Sequence, residues 1–306
     1  MFGYLLTRMA QSILLLFGVV VIVFFIIRLT GDPASLMVPR DASPEQVEAF
    51  RKAMGFDRPV YVQFMDFATG VLVLDLGTSL KLNRPNRAVI LERLPATVQL
   101  AVAAMAVATA IAIPLGTLSG TYPGSWVDGL GRALGLLGQV TPSFWLAMIL
   151  ILVFAVQLGW FPSFGRDRWI SVVLPAVALG LGVMSQLYRL TRAQVLEIRT
   201  NDFVRTARSK GLSEVLIMAR HILPNTAIAL ISVMGVQFTY LLGGSIYIET
   251  IFAWPGLGSL LDEAIKGRDF PLVQAITVFF ASFAILIHLV TDLLYGLLDP
   301  RIRRGA

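Results

Sequence analysis

The chain has no cysteine among its 306 residues. This excludes a disulfide framework and any thiolate metal site. Its two histidines, His221 and His288, are too few for a His-based zinc or iron centre. Charge is also scarce: Asp, Glu, Lys and Arg make up 14% of the chain, against about 25% in soluble domains. The shortfall points to lipid as the solvent. No Gly-x-x-x-x-Gly-Lys-Ser/Thr loop occurs, so ATP is not bound here by that route. No repeat and no low-complexity segment is visible. Ser245 follows two glycines, but no His or Lys is placed as its base. The expectation is a chain with no catalytic residue, no metal ligand and no cofactor of its own.

What is present is apolar length. Hydrophobic residues make up 56% of the chain. They gather in six spans, 9–28, 96–120, 133–158, 170–189, 226–248 and 271–297. Each is long enough to cross a bilayer as a helix, with its backbone groups bonded internally. Arg8 precedes the first run, Met9 to Ile27. That run is too long for a secretory signal and lacks a small-x-small cleavage site, so it reads as a retained transmembrane helix. The fold class expected is an all-α integral membrane protein with six transmembrane helices. Residues 1–94 hold the first helix and an external segment, and residues 95–300 form a five-helix core.

Charge placement sets an orientation. With the N-terminus cytoplasmic, the inner side carries twelve basic and six acidic residues, and the outer side thirteen of each. The excess at Arg8, Arg132, Arg189–Arg220 and Arg301, Arg303 and Arg304 favours both termini inside. On the outer side, Ser43-Pro44-Glu45-Gln46 is a capped helix start, and Gly55 is its stop. Pro59 to Gly70 reads as a second amphipathic helix along the membrane surface. A plain tethering loop is the other reading.

Small residues recur at helix-packing spacing in Gly116-x-x-x-Gly120 and Gly131-x-x-x-Gly135. Pro142 should kink the third span. Gly243-Gly244 serves packing or lines a path. His288 and Asp292 share a face of the sixth span, as a buried hydrogen bond or as a proton relay.

The segment 190–225 is the polar exception. Asn201 or Asp202 can cap a helix over Phe203 to Lys210, Gly211 can end it in the left-handed region, and Ser213 can cap a second helix that stops near Pro224. Phe203 and Ala207 share a face, and Arg205, Arg208 and Lys210 lie elsewhere. A small apolar face with a basic rim fits a shallow groove on a partner. Binding of anionic lipid by a basic segment is the alternative, but lipid needs neither the glycine turn nor the terminal Leu-Pro.

Gly211, nine residues, then His221-Ile222-Leu223-Pro224 resembles the cytoplasmic loop of ABC importer membrane subunits. Arg205-Thr206-Ala207 stands where the general pattern has Glu-Ala-Ala, and His221 where it has Ile. Both departures are similar to the peptide and nickel branch, with its Thr-Ala-Arg-x-Lys-Gly-Leu and His-x-Leu-Pro-Asn. Further segments follow that branch in order: Tyr4–Arg8, Gly31–Ala34, Gly55–Pro59, Asp75–Ser79, Arg93–Thr97, Pro142–Trp145, Trp254–Gly258, Arg268–Pro271 and Leu298–Arg301. The set resembles the B-type permease subunit of dipeptide, oligopeptide and nickel ABC importers.

The resemblance implies a type I ABC importer permease fold, a MetI-like core with an extra N-terminal helix. It implies that Phe203, Arg205, Thr206, Ala207, Lys210, Gly211, Leu212, His221, Leu223 and Pro224 form an ATPase-coupling loop. Trp254, Pro255, Gly256 and Leu257 would form a loop facing an extracytoplasmic binding protein, either to dislodge ligand or as a simple cap. The implied partners are a paralogous C-type permease, two ABC ATPase subunits that hold ATP and Mg, the binding protein and the bilayer, with no nucleic acid. The implied cargo is a peptide, with nickel chelates, glutathione or sugars as alternatives. The implied location is a bacterial or archaeal cytoplasmic membrane. An ion-coupled secondary transporter is the alternative of a different class; it would show internal repeats and carboxylates within the spans.

Overall fold

The computed structural model describes residues 2–30, 32–38 and 42–298. The Leu298–Arg301 motif beyond Leu298, the tail arginines, Gly31 and the side chain of Asp292 lie outside the described residues. Regular structure among the described residues is helical, with one isolated bridge between Thr78 and Pro85. Among the described residues, five helices are long and apolar enough to cross a membrane: Thr7–Ile26, Asn86–Thr121, Trp169–Ile198, Glu214–Ile251 and Phe270–Thr291. The remaining expected span is broken. Its halves, Trp126–Val140 and Ser143–Gln157, meet at 107°. Pro142 explains the break: it lacks an N–H and drives the residue before it out of the helical region, and Thr141 is extended at φ −82, ψ 119. The expected kink is therefore a full interruption.

Two compact units emerge, Met1–Ala96 with Gly256–Leu286, and Thr97–Pro255 with Ile287–Ala306. The first contains α1 (Phe2–Thr30), α2 (Pro33–Met37), α3 (Pro44–Ala53), α4 (Val60–Leu72), the start of α5 (Asn86–Thr121), α12 (Leu257–Lys266) and most of α13 (Phe270–Leu298). Ser43 and Gln46 close the expected capping box, and Gly55 sits at φ +69 after the helix. Helix α4 is the expected amphipathic helix, with Tyr61, Met65 and Leu72 exposed. Phe64 and Phe67 pack 5.3 and 5.8 Å from Phe24 of α1, because burying aromatic area against a neighbouring helix outweighs leaving it exposed. The buried carboxylate of Asp269 accepts the Ser79 hydroxyl and the backbone N–H groups of Leu80 and Lys81 (both 3.2 Å). This ties the turn before α5 to the start of α13.

The second unit holds the rest of α5, α6 (Trp126–Val140), α7 (Ser143–Leu150), α8 (Val173–Ile198), α9 (Asp202–Ser209), α10 (Glu214–Ile217) and α11 (Leu223–Ile251). Helix α8 is its centre, and glycines let neighbouring helices close on it. A Cβ at Gly116 would stand 2.7 Å from the Thr191 Cβ, and one at Gly131 2.6 Å from the Tyr188 ring, so both spacings are packing faces. Buried Asp128, on the first turn of α6, accepts Arg192 Nε at 2.6 Å and Nη2 at 3.1 Å. Thr97 donates to the buried Glu249 carboxylate at 2.8 Å.

Candidate functional site

Helix α8 does not end with its apolar run. It continues through Arg189 and Arg192 to Ile198, so the polar segment begins as an extension of a membrane-crossing helix. The side chain of Arg199, just beyond, donates to the carbonyls of Gly120 (3.0 Å) and Thr121 (2.8 Å). It thereby fixes the end of α5, whose last carbonyls lack helical partners.

The chain then turns at Asn201 and enters α9, Asp202–Ser209. The expected cap position is Asn201, but its side chain makes no capping hydrogen bond. The end of α9 follows the expectation closely. Gly211 lies at φ +78, Leu212 N–H donates to Ala207 O (3.3 Å) and Gly211 N–H to Arg208 O (2.9 Å). That pair of bonds is a Schellman closure. Ser213 caps α10 by accepting Leu216 N–H at 3.4 Å. Arg208 and Glu214 bridge the two helices through two hydrogen bonds, 2.6 and 3.2 Å. The Glu214 carboxylate raises Arg208 above its ordinary value against a small opposing effect of burial.

The second helix does not stop near Pro224. From Glu214 the chain stays helical to Ile251, widening to a π-helix over Met218–Ile222. Leu223 N–H reaches back five residues to Met218 O. Proline offers no N–H and its ring crowds the carbonyl four residues back. A π-bulge just before Pro224 absorbs both problems without ending the helix.

The faces also differ from the sequence reading. Val204 and Ala207 are buried and pack with Val195, Ile198, Ile217 and Ile222. Ala207 thus faces the chain itself, whereas Phe203 is 43% exposed and Val215 80%. Arg205, Thr206, Lys210, Gly211 and Pro224 are exposed, and Leu212, His221 and Leu223 are partly buried. Val204, which anchors α9, was not singled out. The i, i+3 pair Val204–Ala207 was the available signal.

The other motif has the opposite character. Trp254 and Leu257 are fully buried and Gly256 is buried, leaving Pro255 partly exposed. Trp254 N–H donates to Glu249 O at 2.8 Å, and Gly165 N–H to Phe252 O at 2.8 Å. The Arg166 guanidinium stands 5.8 Å from the Trp254 ring centroid. The indole is therefore part of the interior, not a surface probe. His288 is exposed on α13.

Comparison with known proteins agrees with this architecture. Residues 112–304 match the family described as "Binding-protein-dependent transport system inner membrane component", and residues 1–101 match "Binding-prot-dependent transport system membrane comp, N-term". The chain is 40% identical over 304 residues to the glutathione transport system permease protein GsiC of Pectobacterium atrosepticum, covering 99% of each chain. It is 40% identical over 312 residues to a putative peptide transport system permease protein of Brucella abortus, again with 99% of each covered. Among solved structures, the inward-facing MetNI methionine ABC transporter aligns with a TM-score of 0.59 at 20% identity, over 69% of this chain and 96% of that one. An amino acid ABC transporter aligns with a TM-score of 0.51 at 17% identity, over 70% and 94%. The fold is that of a type I ABC importer permease. This chain belongs to the family of binding-protein-dependent transport system inner membrane components, as a multi-pass permease subunit.

Proposed function

We propose that this chain forms, with a paralogous permease, the path by which an ATP-driven importer takes up peptides delivered by an extracytoplasmic binding protein. The cargo class rests on relatives named for peptide and glutathione transport. ATP and Mg sit on two partner ATPase subunits, so this chain contributes no catalytic group. Both termini lie in the cytoplasm, as does α9, and the 29–95 segment lies outside.

One observation carries the coupling role. Helix α9 is an exposed element between two membrane-crossing helices, and its inner face is locked to Val195 and Ile198 of α8 and to Ile217 and Ile222, which lead without a break into α11. A push on Phe203, Thr206 or Lys210 passes through Val204 and Ala207 into those helices, since a packed interior transmits strain. The Schellman turn and the Arg208–Glu214 bridge keep α9 from yielding independently. The Trp254 turn acts as a buried brace in this reading, and any contact with the binding protein falls to the exposed residues around it, such as Ala253.

The test is uptake of a labelled dipeptide by the complete transport assembly in vesicles. Uptake that requires internal ATP and survives collapse of ion gradients supports the reading. Uptake driven by an ion gradient in ATP-depleted vesicles contradicts it. Preference for a nickel chelate or a sugar over the dipeptide would contradict the peptide cargo while leaving the importer in place.

A further inference from the structure

We propose that a cavity of about 180 Å³ beside the end of α1 is a binding site for a phosphate group, presented by the headgroup of an anionic phospholipid. Its polar lining comes from Arg28, Arg58, Gln63, Asp66 and Gln274, with Phe24 and Phe67 forming the apolar wall. All of these residues belong to the first compact unit. The inference is independent of the transport reading.

Arg28 is the centre of the argument. It stands two residues beyond the apolar run that ends at Ile26, the depth at which a membrane helix meets headgroups. Its guanidinium lies 3.5 Å from the Phe24 ring centroid, donates to Phe24 O at 3.0 Å, and donates to Gln63 Oε1. Both acceptors are neutral, and among the described residues no carboxylate pairs with it. A guanidinium has five donors, so most of its capacity is left for another acceptor. A part-buried cation without a counter-ion is costly, and a planar fork of donors suits phosphate oxygens better than any other common anion except carboxylate.

The second cation is positioned by backbone. Arg58 Nη1 forms an ion pair with Asp66 Oδ2 at 2.9 Å, and Arg58 Nε donates to Gly55 O at 3.4 Å. Gly55 sits at φ +69, and a Cβ there would stand 2.4 Å from Arg58 Nη2, so the guanidinium would have to move aside. With Asp66 neutralising Arg58, the cavity keeps one net positive charge, matching one phosphodiester. At roughly 30 Å³ per water, the space is several waters in size.

The surroundings favour a lipid over free phosphate. Around its polar groups the lining is apolar, with Met37, Met54, Phe56 and Pro271 beside Phe24 and Phe67, and Phe25, next along α1, is 42% exposed. A headgroup held at Arg28, at the end of a membrane-crossing run, would therefore meet apolar protein surface as well as donors.

The test uses the full chain in nanodiscs of phosphatidylglycerol and phosphatidylcholine in equal parts, released for native mass spectrometry. The wild type should retain phosphatidylglycerol in preference to phosphatidylcholine. Arg28→Gln should cut that retention about tenfold, the loss of roughly one charge-assisted contact. Gly55→Ala, which displaces Arg58 and leaves Arg28 in place, should cut it less. If Arg28→Gln does not purify folded, Arg28→Lys keeps the charge but not the fork, and retention should fall several-fold. Equal retention by wild type and the Arg28 variants, or phosphatidylcholine held as well as phosphatidylglycerol, would overturn the site. Loss of the bound lipid on adding millimolar inorganic phosphate would assign the site to free phosphate and overturn the headgroup.

Discussion

The Gly211 turn and the Trp254 turn have similar punctuation in the sequence but opposite places in the fold. Each joins helices through glycine beside bulky apolar residues. Around Gly211 the apolar residues divide, with Val204 and Ala207 buried and Phe203 and Val215 exposed. Around Trp254 the bulky residues are all buried, including Phe252, Trp254 and Leu257. The first turn is thus a surface supported from beneath, and the second is a piece of the core. Turn chemistry tells where a chain reverses, but only packing tells which residues are left for a partner.

Substitutions can break or sharpen that contrast. The largest effect belongs to Trp254→Ala, which empties a fully enclosed indole site. It should cost about 4 kcal/mol, seen as a large drop in the thermal unfolding temperature of the purified chain. If the protein loses less than about 1 kcal/mol, the turn is not a core element. Asp128→Ala is next. It leaves Arg192 without its buried carboxylate partner and should cost about 3 kcal/mol, whereas replacing both residues together should cost less.

Gly211→Val should be milder in stability, about 1–2 kcal/mol, the strain of a side chain in the left-handed region. No atom stands within 4 Å of a Cβ there, so the cost is conformational and not a clash. Its effect on ATP-driven uptake should be far larger than its effect on unfolding. Normal uptake by this variant would separate the turn from coupling. Smallest in stability is Phe203→Ala, within about 0.5 kcal/mol because the ring is substantially exposed. It should still reduce uptake by about tenfold, as expected for an interface anchor. Equal small effects on both readouts would make Phe203 an idle surface residue.

Much of this was legible in the chain itself. Apolar length marked the five described helices able to cross a membrane, since a span needs little beyond uninterrupted apolar residues. Ser43, Gln46, Gly55, Gly211 and Ser213 announced local geometry because capping and left-handed turns depend on the residue alone. Two proline effects were misjudged. Pro142 breaks its helix at 107°, while Pro224 is carried inside one by a π-bulge. A single proline does not reveal whether neighbours can re-satisfy the backbone. Long-range pairs were invisible: Asp128 with Arg192, Asp269 with Ser79 and Thr97 with Glu249 are separated by 64, 190 and 152 positions. The face of α9 was misread at Ala207 because a short helix between two others buries the side its neighbours dictate.

The lack of cysteine in this chain makes its central claim directly measurable. A single Phe203→Cys thiol, tethered to a short photoactivatable cross-linker in the assembled transporter, reports what lies against α9. The account predicts cross-linking to an ATP-hydrolysing subunit that changes in yield when ATP is bound. Cross-linking of Phe203→Cys only to lipid, in an assembly that still transports, would contradict it.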